Sequence, residues 1–197
     1  MIKGSHNTFT YLRPTKWYLR PFAFIAKCQN KTIEKQLEHG ARCFDLRVRM
    51  NSEGELEVAH NAFVYIKGIQ QLDEILRRMS KNTPPGERIY IRVLHEVRNV
   101  EQEKYSSKED FETICILLQY LQEELTNIRF FGGQRTMDWR QDFVFPQENE
   151  MQYVEKHASV DWPKWFHWWP WLYAKFYNKH IIEEYKDKNI ILFYDFL

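Results

Sequence analysis

The chain lacks the features that mark several large classes of protein. Its 197 residues include three cysteines, too few and too widely spaced for a disulfide framework or a zinc site built on C-x-x-C pairs. The longest apolar runs, such as residues 190–197, fall far short of the roughly 20 residues that a membrane-spanning helix requires. No leader of charged, then apolar, then small residues opens the chain.

The charge balance excludes a further class. The formal net charge of +1 disfavours a protein whose affinity for nucleic acid comes from neutralising many phosphates. These absences together predict a cytoplasmic or peripheral membrane protein with neither a transmembrane segment nor a nucleic-acid partner, in which the cysteines are buried, reduced thiols. The sequence carries no signal for an oligomeric state.

The length suits one domain, residues 1–197, with a core of its own. Short apolar strands alternate with helical patterns, which predicts an α/β fold with a mainly parallel sheet. The predicted strands are residues 1–4, 43–49, 56–59, 88–95, 142–145 and 189–196. The predicted helices are residues 31–39, 69–80, 107–125 and 172–185, the third starting at a capping-box-like Ser107 and Asp110. Residues 127–160 otherwise show little periodicity, and "FGGQRT" is predicted to be a loop.

Polar side chains follow several of the predicted strands. His6 comes after the first strand and His60 follows the third, while Asp195 lies in the last. In the second strand, "ARCFDLRVRM", Asp45 and Arg47 share the face opposite the apolar residues. Two imidazoles, a guanidinium and a carboxylate can cleave a phosphodiester, because they supply a base, an acid and a cation for the growing phosphoryl charge.

These segments resemble a known family. "GSHNTF", "LEHGARCFDLRVRM" and "LEVAHNAFVY" resemble the X region of phosphatidylinositol-specific phospholipases C, with both histidines and the "HG-x-R-x-F-D-x-R" block in order. The resemblance continues weakly through "PGERIYIRVLHE" and returns at "YNKHIIEEYKDKNIILFYDFL". It implies a TIM-barrel-like (β/α) fold of the phospholipase C-like phosphodiesterases. A strand expected before the tryptophan-rich segment is not evident, so we expect a shortened or irregular barrel.

The resemblance also implies roles for individual residues. Carried over one by one, His6 is the general base, His60 the general acid and Arg47 the phosphate-stabilising cation. Asp195 is the carboxylate that orients His6, and Asp45 matches an acidic position at the same site. The implied reaction is phospholipase C cleavage of phosphatidylinositol, or a related inositol phospholipid, to diacylglycerol and 1,2-cyclic inositol phosphate.

The headgroup-binding residues are marked less clearly than the catalytic ones. In the family, a strand in the middle of the chain ends in a basic residue that grips the headgroup, and "DFVFPQEN" stands in its place here. Arg92, Arg135 or Arg140 is expected to substitute for it. Asn7 and Glu96 complete the predicted substrate-binding set.

The family contains calcium-dependent and metal-independent enzymes, and the chain carries marks of both. Asn7 resembles a calcium ligand, whereas Arg47 stands where the metal-independent bacterial group places arginine. A fixed guanidinium replaces the charge of an ion and repels one. We therefore predict a site with no metal or cofactor. Calcium is the less favoured alternative, because Asn7, Asp45 and Glu96 are a small set of oxygen ligands.

Two segments combine aromatic and basic residues without any acid. Residues 11–33 hold five lysines and arginines among aromatics, and residues 162–182 hold three lysines among tryptophans. Both properties suit an anionic membrane surface, and the resemblance places both segments beside the active site. The predicted membrane-contacting residues are Trp17, Trp165, Trp168, Trp169 and Trp171. A packed aromatic lid or a solvated loop is the alternative.

Two other functions stay open. One is a related phosphodiesterase acting on another phospholipid headgroup, although such relatives generally carry Glu and Asp metal ligands near the first histidine. The other is a degenerate family member that binds lipid or inositol phosphate without turnover, which Asn7 favours because it cannot ionise. The remaining histidines, including His157 and His167, show no ligand spacing and are expected at the surface or in the core.

Overall fold

One eight-stranded sheet organises the part of the chain that the computed structural model describes, namely residues 1–97, 102, 104–135, 152–163 and 167–197. Its strands are β1 (Ile2–Ser5), β2 (Ala41–Met50), β3 (Leu56–His60), β4 (Phe63–Lys67), β5 (Ile89–His95), β6 (Ile128–Arg135), β7 (Tyr153–Lys156) and β8 (Ile191–Tyr194). The helices are α1 (Ala23–Ala26), α2 (Ile33–Glu38), α3 (Ile69–Asn82), α4 (Lys108–Glu124), α5 (Ala158–Asp161) and α6 (Pro170–Tyr185). Two 3-10 turns, Thr8–Tyr11 and Trp17–Phe22, separate β1 from α1.

Six of the described strands form a parallel run in the order β6, β5, β2, β1, β8, β7. The ten-residue β2 holds this run together, since it pairs in parallel with β1 and β5. Its C-terminal end pairs antiparallel with β3, which begins the β3–β4 hairpin. Among the described residues β6 does not pair with β7, so the barrel is not closed there. The predicted α/β class is confirmed.

The two faces of β2 contact different surroundings. Phe44, Leu46 and Val48 are fully buried in the main apolar core, to which α4 contributes Phe111, Ile114 and Leu118. On the other face of β2 a smaller apolar cluster contains Cys43, Phe131, Ile191 and Phe193. Asp45 and Arg47 follow Cys43 on this same face. Along β2, Asp45 and Arg47 therefore lie on the C-terminal side of this apolar cluster.

Most predicted elements are present, with corrections in both halves of the chain. The capping box of Ser107 and Asp110 is confirmed, and all three cysteines are buried without a disulfide. Helix α2 is shorter than predicted, and α6 begins two residues earlier. Strands β4, β6 and β7 were not predicted, and predicted strand 142–145 lies outside the described residues.

The prediction of a loop at "FGGQRT" is wrong, because β6 runs through most of it. Gly132 explains the misleading pattern. It has φ +96°, and a Cβ there would lie 2.8 Å from the carbonyl oxygen of Val93. The register between β5 and β6 shifts at the same place, between Val93 and Leu94. A glycine in a β-bulge thus reads as a loop in the sequence although the strand continues past it.

Candidate active site

The strand ends deliver polar side chains to one cavity of about 550 Å³. His6 follows β1, Arg47 lies in β2 and His60 ends β3, while Asp195 follows β8. All four line the cavity, so the structure brings these predicted residues together across the sheet. Its other polar lining residues are Asn7, Asn61, Glu155, His157, Ser159 and His167.

His6 is a buried imidazole with both ring nitrogens engaged. Its Nδ1 lies 2.7 Å from Oδ1 of Asp195, and its Nε2 lies 2.9 Å from Nη2 of Arg47. A guanidinium only donates, so Nε2 accepts and Nδ1 carries the proton that is donated to Asp195. Burial, followed by the neighbouring His157 and Arg47, holds the pKa of His6 well below its ordinary value. The ring is thus a neutral base whose Nε2 faces the cavity.

Asp195 completes this pair from the end of β8. Burial raises the pKa of its carboxyl to about 6, against the opposing effects of His157 and of hydrogen bonds from Cys28 and the Ala158 backbone. The carboxylate is therefore ionised above about pH 6 and can then stabilise a proton on His6.

Arg47 stands between two carboxylates beside the cavity. Its Nε donates to Oδ2 of Asp45 at 3.0 Å, and its Nη1 lies 3.8 Å from Oε2 of Glu96. Burial alone would raise the pKa of Asp45, but Arg47 and Arg92 outweigh it and the pKa is lowered. The two carboxylates thus hold the guanidinium in place, and its Nη2 is directed toward His6 at the cavity.

Asn7 lies between the two predicted catalytic histidines. Its Nδ2 is 3.1 Å from Nε2 of His6 and 3.5 Å from Nε2 of His60. Its backbone is left-handed, with φ 45°, and its backbone N–H donates to Asp45 at 3.0 Å. Asparagine tolerates this conformation better than most residues. His60 is anchored on its other side, where Nδ1 lies 3.0 Å from the carbonyl oxygen of Ala26.

With this geometry in view, comparison with known proteins identifies the family. A family model described as phosphatidylinositol-specific phospholipase C, X domain, matches residues 2–107, which is more than half of the chain. The chain belongs to the phosphatidylinositol-specific phospholipase C X-domain family. It is therefore grouped with phospholipase C-type enzymes. A search of the curated proteins found no match.

Solved structures of this family share the fold. A mutant phosphatidylinositol-specific phospholipase C from Staphylococcus aureus matches with a TM-score of 0.65 and 16% identity, over 99% of this chain and 84% of that one. The phosphatidylinositol-specific phospholipase C from Listeria monocytogenes matches with a TM-score of 0.61 and 16% identity, over 99% and 87%. At this identity the likeness shows the fold, and it confirms the predicted TIM-barrel-like architecture in an irregular form.

The predicted substrate-binding residues of this family member fall in different places. Arg92 is buried beneath the cavity, between Asp45 at 3.3 Å and Glu155, with its guanidinium 3.9 Å above the Phe193 ring. Glu96 is buried and accepts from the Asn61 backbone at 2.8 Å. The backbone of Arg135 pairs with His95 at the end of β6, and Arg140 lies outside the described residues.

The predicted membrane-contacting tryptophans are exposed wherever the structure describes them. Trp17 is 76% exposed, and Trp168, Trp169 and Trp171 are 44–55% exposed. Trp168 also lines the cavity, whereas Trp17, Trp169 and Trp171 do not. Trp165 lies outside the described residues. Among the helices that the structure describes, none combines the length and hydrophobicity needed to cross a bilayer.

Sequence reasoning missed the part of the cavity lining that β7 and the residues after it supply. Glu155, His157 and Ser159 line the cavity, although His157 was expected at the surface or in the core without a role. The missing signal was β7, whose sequence "YVEK" has too little apolar alternation to predict a strand. With β7 recognised, His157 would have been found by the same rule as His6, as a polar residue directly after a strand.

The ligand atoms of His6, His157 and Asp195 lie within 4.8 Å of one another, a distance that a shared metal ion requires. The two imidazole rings are nearly parallel, 3.7 Å apart and inclined by 8°. Nitrogen lone pairs lie in the ring planes, so those of two parallel rings do not meet at one ion. The orientation of the two rings therefore does not fit a shared metal. The predicted calcium ligands do not fit an ion either, because the Arg47 guanidinium lies between the carboxylates of Asp45 and Glu96.

Proposed function

We propose that this family member cleaves phosphatidylinositol, or a related inositol phospholipid, to diacylglycerol and 1,2-cyclic inositol phosphate. One observation carries the proposal: His6, hydrogen-bonded to Asp195, faces the same cavity as His60, and Arg47 lies against the nitrogen that would take the proton. Base, acid and cation are thus available to one phosphodiester.

The first half of the proposed reaction uses His6. Its Nε2 accepts the proton of the inositol 2-hydroxyl, and the freed oxygen attacks the adjacent phosphorus. The proton makes His6 cationic, which Asp195 stabilises through Nδ1 at 2.7 Å. The Arg47 guanidinium meets the phosphoryl oxygens as their negative charge grows, and this fixed donor lowers the barrier most where the site excludes water.

The second half uses His60. Its Nδ1 donates to the Ala26 carbonyl, so a protonated ring presents Nε2–H to the cavity. That proton passes to the glycerol oxygen as the bond from phosphorus to this oxygen breaks. Diacylglycerol leaves with the proton, and the five-membered cyclic phosphate stays with the inositol until it dissociates.

The same proposal requires no metal ion. Arg47 supplies a permanent positive charge beside His6, and its pKa is raised because Asp45 and Glu96 outweigh the effect of burial. EDTA is therefore expected to leave the reaction rate unchanged, and added calcium is expected not to increase it.

The substrate is proposed to be reached from a membrane surface. Trp168 lines the cavity, Trp169 and Trp171 are exposed beside it in the chain, and Trp17 lies on the segment after β1 that also carries Lys16 and Arg20. Indole rings favour the boundary between headgroups and acyl chains, and basic side chains favour anionic lipid. The chain is then a peripheral membrane protein when it acts.

The proposal is tested by incubating the protein with phosphatidylinositol vesicles and following phosphorus NMR, which resolves cyclic inositol phosphate from the lipid. Wild type should form the cyclic product, and His6→Ala and His60→Ala should each lower turnover by about 100- to 10,000-fold. His39→Ala is a matched control, because His39 is exposed and does not line the cavity. Wild-type turnover in both cavity variants would contradict the proposal.

Asn7 favours a second candidate, a lipid or inositol-phosphate binder without turnover. An amide lies between the two imidazoles where an ionisable carboxylate could assist the acid, which weakens proton donation by His60. Vesicle binding without any phosphorus product would support this candidate. Product from a different phospholipid, with none from phosphatidylinositol, would assign the enzyme to another headgroup.

A further inference from the structure

Two imidazole–carboxylate pairs lie face to face at the cavity wall. His6 bonds Asp195 at 2.7 Å, and His157 lies 3.4 Å from Oε2 of Glu155. The two imidazole rings stack with centroids 3.7 Å apart and planes inclined by 8°. Both rings are buried, at 2% and 3% exposure. The mechanism above uses only the first pair, which leaves a second buried imidazole in van der Waals contact with the base.

The contacts of His157 hold its ring in place. Oγ of Ser159 lies 2.7 Å from Nδ1, and Oε2 of Glu155 lies 3.4 Å from Nε2. Both ring nitrogens are therefore engaged within the plane of the ring. Glu155 in turn forms an ion pair with Arg92, which holds the pKa of Glu155 well below its ordinary value even though burial would raise it. Arg92 therefore fixes Glu155, and Glu155 fixes the ring.

The stacked His157 ring restricts His6 in a direction that no hydrogen bond covers. Asp195 and Arg47 hold the two nitrogens of His6 within its plane, but they do not prevent the ring from tilting. The face of His157 covers one face of His6 and blocks that motion. A base whose nitrogen is displaced by even a fraction of the hydrogen-bond distance to the substrate hydroxyl accepts the proton poorly. The stacked ring therefore affects the rate more than substrate binding.

We propose that His157 is a positioning residue for His6, an imidazole that is held by Ser159 and Glu155 and keeps the base flat and aligned. The inference rests on the proposed function of His6 as the general base.

The electrostatic setting agrees with this role. The charged and titratable groups around His6 are Asp195, Arg47, His60, His157, Arg92, Asp45, Glu155 and Cys28. After burial, His157 is the largest of the influences that lower the pKa of His6. Removing it is therefore expected to raise the pKa of His6, so the base becomes protonated at a higher pH.

The test compares His157→Phe, which keeps a flat ring, with His157→Leu, which removes the stack. With phosphatidylinositol vesicles we expect kcat to fall about 10- to 100-fold in His157→Leu and clearly less in His157→Phe, with KM little changed in both. In His157→Leu, the acid limb of the plot of kcat against pH should move to higher pH, because the pKa of His6 rises. Ser159→Ala should move the limb in the same direction by less, and it provides a second test if His157→Leu does not fold.

His95→Phe is a matched control, since His95 is also buried, stacks on Phe111 at 4.6 Å and meets a serine hydroxyl at 2.8 Å, but does not line the cavity. It should leave the pH profile in place.

A second readout uses no substrate. The imidazole resonances of His6, titrated by NMR in the free protein, should shift to a higher midpoint in His157→Leu. An inactive wild type with this NMR shift would reject the proposed activity and keep the positioning role. Unchanged His6 titration in His157→Leu would overturn the positioning role. So would an effect on KM alone, which would make His157 a headgroup contact.

Discussion

His6 and Asp195 meet at 2.7 Å although 189 positions separate them in the chain. Their contact joins the first strand of the sheet to the last, because β1 and β8 pair in parallel from Ile2 with Ile191 to Ser5 with Tyr194. Each residue follows directly after its strand, so the strand register alone brings the imidazole to the carboxylate. The pair is therefore both a part of the candidate site and a probe of how the sheet is assembled.

Asp195→Asn should make the protein more stable at pH 8 and much less active. The pKa of Asp195 is raised to about 6, so the folded state binds its proton more tightly than the unfolded state. The stability from this group is fully present below the ordinary pKa and is lost as pH rises toward 6. Above that pH the wild type carries a buried charge that the amide avoids. The Tm advantage of Asp195→Asn should shrink toward zero as the pH falls to about 4, the ordinary value for Asp.

Asp195→Asn should also lower turnover. The amide cannot stabilise a proton on His6, so kcat should fall by about 100-fold or more at pH 8. Calorimetry and the vesicle assay on the same samples separate the two effects. A variant less stable than wild type at pH 8 would show that the ionised carboxylate contributes more through its hydrogen bonds than its burial costs.

Arg47→Lys should lose activity despite keeping the charge. The guanidinium contacts Asp45, Glu96 and His6 with different nitrogens, and an ammonium has neither this planar fork nor its reach in three directions. We expect kcat to fall roughly 100- to 1,000-fold, with no recovery on adding calcium. Recovery with calcium would show instead that the site can accept an ion once the arginine is gone. Arg42→Lys, at a partly exposed pair with Glu87, is the control.

The double variant Trp168→Ala and Trp169→Ala should bind anionic vesicles roughly 100-fold more weakly or worse, because each large apolar side chain contributes about 1.5–3 kcal/mol on burial and about 1.4 kcal/mol is a factor of ten. Sedimentation with liposomes measures this directly. Tyr120→Ala is the control, since Tyr120 is 64% exposed on α4 and does not line the cavity. Equal binding by all three proteins would exclude the membrane role and leave a packed lid as the explanation of the tryptophans. Trp162 already packs in that way, edge-on against Tyr173 at 5.3 Å.

Gly132→Ala should destabilise the fold. The added Cβ would lie 2.8 Å from the Val93 carbonyl oxygen, at a φ of +96° that other residues rarely adopt. We expect a loss of about 1–3 kcal/mol in the free energy of unfolding. Gly86→Ala tests the conformational part separately, because Gly86 has a similar φ of +80° but nothing within 4 Å of a new Cβ. Equal losses in urea titrations of the two variants would mean that the contact with β5 has no cost of its own.

How far the sequence predicts this molecule depends on the kind of signal each residue leaves. His6, Arg47 and His60 stand in or next to strands with clear apolar patterns, so their meeting at one edge of the sheet was predictable. His157 follows a four-residue strand with no such pattern, and its stacking on His6 depends on the pairing of β7 with β8. That pairing is a long-range contact, which local periodicity does not record. Arg92 shows the opposite error, since its charge suggested ligand binding while its partners Asp45 and Glu155 keep it beneath the cavity.

The pairing of β2 has a consequence for how the site loses order. This strand is bonded along both edges, to β5 on one side and to β1 and β3 on the other, and it carries Asp45 and Arg47. In the part of the chain that is described, β7 has one partner and only four residues, and the one-turn α5 follows it. Amide protons should therefore exchange with solvent last in β2 and early around His157. The cavity thus has one wall that opens only with global unfolding and another that opens locally at a much smaller free-energy cost.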